Sequence, residues 1–130
     1  MAHPVIHFEI ITKDPDALAA FYRQAFDWNI ASSEIGGVSA GGGGMKYLIV
    51  RPDGTEDPQR GINGGIGAPP DEYDGHVTFY IHVDDVPAAL KKIEDLGGTT
   101  MMPPQQLPGL VIALFKDPQG HTIGLVNPQM

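Results

Sequence analysis

The sequence has no cysteine, few basic residues and no long apolar run, and each shortage removes a class of protein. Without cysteine there is no disulfide framework, no thiolate nucleophile and no zinc–thiolate centre. Eight Lys and Arg stand against 16 Asp and Glu, giving a formal net charge of −8 and a pI near 4.8. The basic residues are scattered from Lys13 to Lys116 rather than clustered, which argues against a nucleic-acid partner. No stretch approaches the ~18–20 apolar residues that span a bilayer. The segment Met1 to Lys13 lacks the basic-then-apolar order of a secretory signal, so the expectation is a cytoplasmic protein without a membrane partner. With 42% hydrophobic and 18% charged residues in 130, the chain reads as one folded domain.

What is present in quantity is punctuation: 17 glycines and 12 prolines, grouped between periodic segments. Those segments repeat. Displaced by 71 residues, Ile6–Ala17 falls on Val77–Ala88, matching Phe8 with Phe79, Ile10 with Ile81, Asp14 with Asp85 and Ala17 with Ala88. In each copy a period-2 strand leads into a helix capped by the aspartate. The first helix has Pro15 at its start and an apolar stripe of Leu18, Phe21, Tyr22, Ala25 and Phe26, which we read as core, ending near Asp27 or Trp28. The second buries Val86, Ala89, Leu90, Ile93 and Leu96 and stops at Gly97-Gly98, one of them left-handed. Further strands are expected near 29–35, 45–51, 61–67, 99–102, 110–115 and 121–126. The architecture is therefore α+β, a single domain of two tandem βαβββ modules over 5–67 and 76–127, joined by a linker at 68–75. Gly36–Gly44, with six glycines in nine residues, matches no phosphate-binding pattern and is read as a loop and candidate lid.

Strand alternation gives each first strand a polar face. In the first copy it carries His7 and Glu9, and in the second His76, Thr78, Tyr80 and His82. His7 and His82 suit proton exchange near neutral pH, and Glu9, partly buried, suits a base. Tyr80, Trp28, Tyr47, Met101 and Met102 are candidates to line a partly apolar cavity, with Trp28 equally suited to the core. His3 and His121 are read as surface residues.

The two βαβββ copies, the Phe21-Tyr22 pair after Asp14, the Leu96–Thr99 helix ending and the closing Asp117-Pro118-Gln119-Gly120-His121-Thr122-Ile123 together resemble the vicinal oxygen chelate superfamily of glyoxalase I, bleomycin-resistance proteins and extradiol dioxygenases. The resemblance spans about Ile6 to Val126. It implies a curved mixed sheet with a ligand cavity between modules, often a homodimer, and in the enzymes a divalent ion held by His or carboxylate side chains. The implied ligand positions fall on His7, Gly65 (Asn63 if the register slips by two), Thr78 and Gly124, so only His7 is a competent ligand. The expectation is a small-molecule-binding protein without the usual metal, using His7, Glu9, Trp28, Tyr47, Thr78, Tyr80, His82 and Met101. Two alternatives stay open: a metal-dependent lyase, isomerase or dioxygenase with a shifted site at His7, Glu9 and His82, and a metal-free isomerase or lyase with His7, Glu9 and Tyr80 as its catalytic groups.

Overall fold

The computed structural model describes residues 2–32, 47–51, 62–69 and 73–128. Ten elements follow one another: β1 (Val5–Ile11), α1 (Pro15–Phe26), β2 (Asn29–Ser32), β3 (Tyr47–Arg51), β4 (Gly64–Gly67), β5 (His76–His82), α2 (Val86–Asp95), β6 (Thr99–Leu107), β7 (Leu110–Lys116) and β8 (Thr122–Pro128). This is the α+β, twice-βαβββ order expected. The Gly36–Gly44 loop lies outside the described residues. Among the described residues no helix is long and apolar enough to cross a membrane.

By compactness the chain divides into a first unit, His7–Val77, and a second, Met1–Ile6 with Thr78–Met130. In the first unit the strands run in the order β2-β3-β4-β1, with β4 parallel to β1 and antiparallel to β3. Asp14 caps α1 by accepting from the Ala17 N–H at 3.0 Å, Pro15 opens it, and Asp27 closes it in the left-handed conformation. The inward face of α1 is one residue out of phase with the expected stripe. Pro15 and Ala19 are buried, Leu18 and Tyr22 pack on the core, and Phe21 and Phe26 are 58% and 60% exposed. Neighbouring helical residues point about 100° apart, so Phe21 and Tyr22 cannot both face the sheet. Tyr22 takes the inner place because its ring stacks on Trp28 at 4.9 Å, and Trp28 in turn meets Phe8. The core beneath is Ala19, Ile30, Leu48, Val50 and Ile66.

The second unit repeats the plan as β5-β8-β7-β6. Asp85 caps α2 through the Ala88 N–H, and Gly97, at φ +103°, makes the predicted left-handed turn. Leu96, expected inside, is 70% exposed, because the helix ends at Asp95 and the chain is already turning away. Val83, Val86, Leu90, Ala113, Phe115 and Leu125 form its helix-side core. The Asp-Pro-x-Gly turn is held by Asp117, whose carboxylate accepts from the His121 and Gln119 backbone N–H groups and contacts the His121 ring. The His121 backbone bond is the largest influence holding Asp117 below the usual carboxylate range. β6 runs to Leu107, beyond the expected 102, because its pairing with β7 resumes after a register shift around Pro103 and Pro104.

These assignments make separable predictions. Asp85→Ala is expected to lower unfolding free energy by about 1 kcal/mol through loss of the cap. Phe21→Ser, at an exposed site, is expected to change it by less than about 0.5 kcal/mol. Urea titrations of both variants followed by circular dichroism test the pair, and a large loss at Phe21 would contradict the observed helix phase.

A buried carboxylate network as candidate functional site

The polar face of β1 is not wet. Glu9 is 3% exposed, and a carboxylate so placed needs hydrogen-bond donors to offset lost hydration. Tyr47 and His76, both in the first unit, reach it. The Tyr47 hydroxyl donates to Glu9 Oε2 at 3.1 Å, and the His76 ring nitrogen Nε2 lies 3.1 Å from Glu9 Oε1. Tyr47 Oη is also 2.8 Å from His7 Nε2, and Tyr73 Oη is 2.8 Å from His76 Nδ1.

Proton valence sets the direction of the arm from His7 through Tyr47. The single Tyr47 proton goes to Glu9, so His7 Nε2 carries a hydrogen and donates to Tyr47 Oη. Glu9 Oε1 faces His76 Nε2, and His76 Nδ1 faces the Tyr73 hydroxyl. Two arms, from His7 through Tyr47 and from Tyr73 through His76, therefore converge on one carboxylate. Desolvation lowers the His7 pKa below the ordinary histidine range, and the negative charge of Glu9 opposes the effect without cancelling it.

β4 is shaped to admit Tyr47. Its sequence Gly-Gly-Ile-Gly pairs with β3 so that Tyr47 lies opposite Gly67 and its ring runs back toward Gly65. A Cβ on Gly67 would stand 2.6 Å from Tyr47 Cδ1, and one on Gly65 would stand 2.0 Å from Cζ and Oη. No side chain fits under the phenol. Ile66, between the two glycines, points the other way and is fully buried in the helix-side core.

The second unit carries a related arrangement of different polarity. Thr78, at the repeat position of His7, is buried and donates its hydroxyl to the Thr122 carbonyl at 2.6 Å. Tyr80, at the repeat position of Glu9, packs with Ile112, Leu114 and Val126 and lies opposite Gly124, whose Cβ would come within 2.5 Å of the ring. The face read as cavity-lining is thus the more buried one here, while Val77 and Phe79 are 75% and 38% exposed.

Of the residues singled out from the sequence, the structure joins His7, Glu9 and Tyr47 directly. It adds His76, which shares the β5 polar face, and Tyr73, which fell in the expected linker and gave no signal. Trp28 sits in the helix-side cluster with Phe8 and Tyr22. His82 lies in the second unit, where its backbone N–H donates to Pro4, and Met101 is an exposed β6 residue whose sulfur accepts from the Thr122 hydroxyl. The four implied metal-ligand positions do not fit a divalent ion. Gly65 and Gly124 offer no side chain and are covered by tyrosine rings, and the Thr78 proton is committed to a carbonyl. Among the described residues no three His, Asp or Glu side chains form a metal-holding group.

Comparison with known proteins agrees with this arrangement of elements. The family model described as Glyoxalase/Bleomycin resistance protein/Dioxygenase superfamily matches residues 5–125. A protein named "Putative glyoxylase CFP32", from Mycobacterium bovis and Mycobacterium tuberculosis, is 26% identical over 121 residues, covering 92% of this chain and 42% of that protein. The chain thus spans about two-fifths of the length of these curated relatives. The crystal structure of methylmalonyl-CoA epimerase from Mycobacterium tuberculosis aligns with TM-score 0.66 at 15% identity, covering 97% of this chain and 88% of that one. Hypothetical protein BH1468 from Bacillus halodurans C-125 aligns at 0.69 and 10% identity, covering 100% and 97%. A methylmalonyl-CoA epimerase in complex with methylmalonyl-CoA and NH4+ aligns at 0.66 and 19% identity, covering 98% and 96%. At these identities the structural likeness speaks for the fold alone.

Two outcomes test the network. Tyr47→Phe keeps the ring but removes one of the donors to buried Glu9, and is expected to cost about 1–3 kcal/mol in urea unfolding. A histidine with a lowered folded pKa stabilises the fold above its unfolded pKa, because below that value the unfolded chain binds the extra proton. Stability should therefore fall as pH drops through about 6.5 toward the folded value. Unfolding midpoints measured across this window should lose the His7 part of that slope in His7→Gln, and an unchanged slope would refute the burial argument.

Proposed function

The chain belongs to the glyoxalase/bleomycin resistance protein/dioxygenase superfamily, and we propose that it is a metal-independent small-molecule-binding member of that family, holding its ligand with the polar face that bears His7, Glu9 and Tyr47. One observation carries this reading. A single tyrosine hydroxyl bonds both His7 and Glu9 while its ring covers Gly65. One imidazole nitrogen of His7 is already a hydrogen-bond donor, and the neighbouring ligand position is filled by the Tyr47 phenol. What remains for a ligand is a preorganised set of hydrogen-bonding groups beside aromatic surface, the composition of a specific organic-ligand site. The partner we propose is a small organic molecule bound by a cytoplasmic homodimer, and no cofactor is required.

A second reading, a metal-free isomerase or lyase, draws on the directed proton chain. There His7, kept neutral by burial, acts on the substrate as the base, and Tyr73, His76 and Glu9 set the orientation of the Tyr47 hydroxyl that meets it. Acyl thioesters are the first ligands to test, because a structural neighbour was solved with methylmalonyl-CoA.

Elemental analysis after incubation with iron, zinc, nickel and manganese salts should find well under one equivalent of metal per chain. Thermal-shift screening of acyl thioesters, aromatic amides and aldehyde–thiol adducts should yield a ligand whose affinity, by calorimetry, falls about tenfold or more in Glu9→Gln. Stoichiometric metal that disappears in His7→Ala would replace this reading with a metal-dependent enzyme. Consumption of a ligand by the purified, metal-free protein would replace binding with catalysis.

A further inference from the structure

We infer that Tyr47 is the residue that closes the first module to a divalent ion, the Tyr47–Gly65 pair taking the place of an ion and its carboxylate ligand. This rests on the metal-independent reading above and identifies its cause. His7 by itself does not make the module metal-free, since it is a competent ligand. Three requirements for an ion beside it are each removed by the same side chain. The Nε2 atom of His7 is engaged at 2.8 Å with Tyr47 Oη. Oε2 of Glu9, the nearest carboxylate, accepts the Tyr47 proton. The volume that a ligating side chain at position 65 would occupy holds Tyr47 Cζ and Oη, 2.0 Å from where its Cβ would be.

The substitution is therefore reciprocal. Tyr47 can lie across β4 only while Gly65 and Gly67 lack side chains, and any side chain at 65 requires Tyr47 to leave. In the second module a tyrosine also covers the other implied carboxylate position, Gly124, but there it is Tyr80, from the repeat position of Glu9 and not of Tyr47.

Cobalt(II), whose visible bands report coordination, provides the test, with wild type, Gly65→Glu, Tyr47→Ala and the double variant compared as full chains. Gly65→Glu alone is expected to melt at a lower temperature and bind no cobalt. The double variant should recover part of that loss and bind about one Co(II) per chain, with about tenfold or greater weakening when His7→Ala is added. An independent arm uses Tyr47→Ala with Gly65 intact, where added acetate should fill the vacated volume and tighten Co(II) binding, with no such effect on wild type. A folded double variant that binds cobalt no better than wild type, or acetate without effect on folded Tyr47→Ala, overturns the inference and leaves the binding function standing. Cobalt bound by wild type through His7 overturns the inference and the metal-independent reading together.

Discussion

The constraint on which the first unit depends is the desolvation of one carboxylate. An ionised side chain removed from water is tolerated only where charge-assisted hydrogen bonds replace its hydration, and Glu9 is almost wholly removed. Satisfying it requires a donor to each oxygen, which fixes Tyr47 on one side and His76 on the other. Tyr47 can reach Glu9 only by lying across β4, so that strand must present glycine at 65 and 67 while keeping Ile66 for the core. His7 then donates to the Tyr47 oxygen, and Tyr73 meets the far nitrogen of His76. A strand of three glycines in four residues, weak by propensity, is thus the packing partner of a buried ring, with flanking strands on both sides to hold it.

The parts of this that were legible in the sequence are those encoded locally. The displacement by 71 residues, the capping aspartates, the left-handed glycine after α2 and the Asp-Pro-x-Gly turn each depend on a few adjacent residues, and each gave the right element in the right place. The phase of α1 did not follow, because five apolar residues crowd more than one face and the choice of Tyr22 over Phe21 was made by Trp28, outside the helix. The course of β6 beyond Met102 was hidden for a similar reason. Two prolines end a strand by local rules, but the pairing with β7 reclaims the chain after them.

The candidate site divides along the same line. His7 and Glu9 were visible because strand alternation places them on one face, and Tyr47 was visible only as an aromatic residue available to a cavity. That they share one hydroxyl could not be read, since the partners lie 40 and 38 residues apart and meet by strand register. His76 stood out as one of four residues on the β5 face, and the 67 residues separating it from Glu9 concealed which it would meet. Gly65 was legible as a missing ligand. Its second meaning, the absence that makes room for a phenol, is a tertiary fact.

Comparison of the two copies shows what duplication has made of one scaffold. Where the first module has His7 and Glu9, the second has Thr78, whose hydroxyl donates to a carbonyl, and Tyr80, whose ring packs on an apolar wall. At these paired positions the charged, proton-bearing side chains are therefore in the first module. A hydrogen-bond network such as the one around Glu9 differs in kind from a bound ion. An ion polarises whatever oxygen reaches it, with little dependence on the protonation of the protein around it. A network polarises only a ligand whose donors and acceptors match its fixed direction, and it reverses or breaks when a member changes protonation state. The burial that lowers the His7 pKa favours the neutral imidazole, and with it the direction of the bond from His7 to Tyr47.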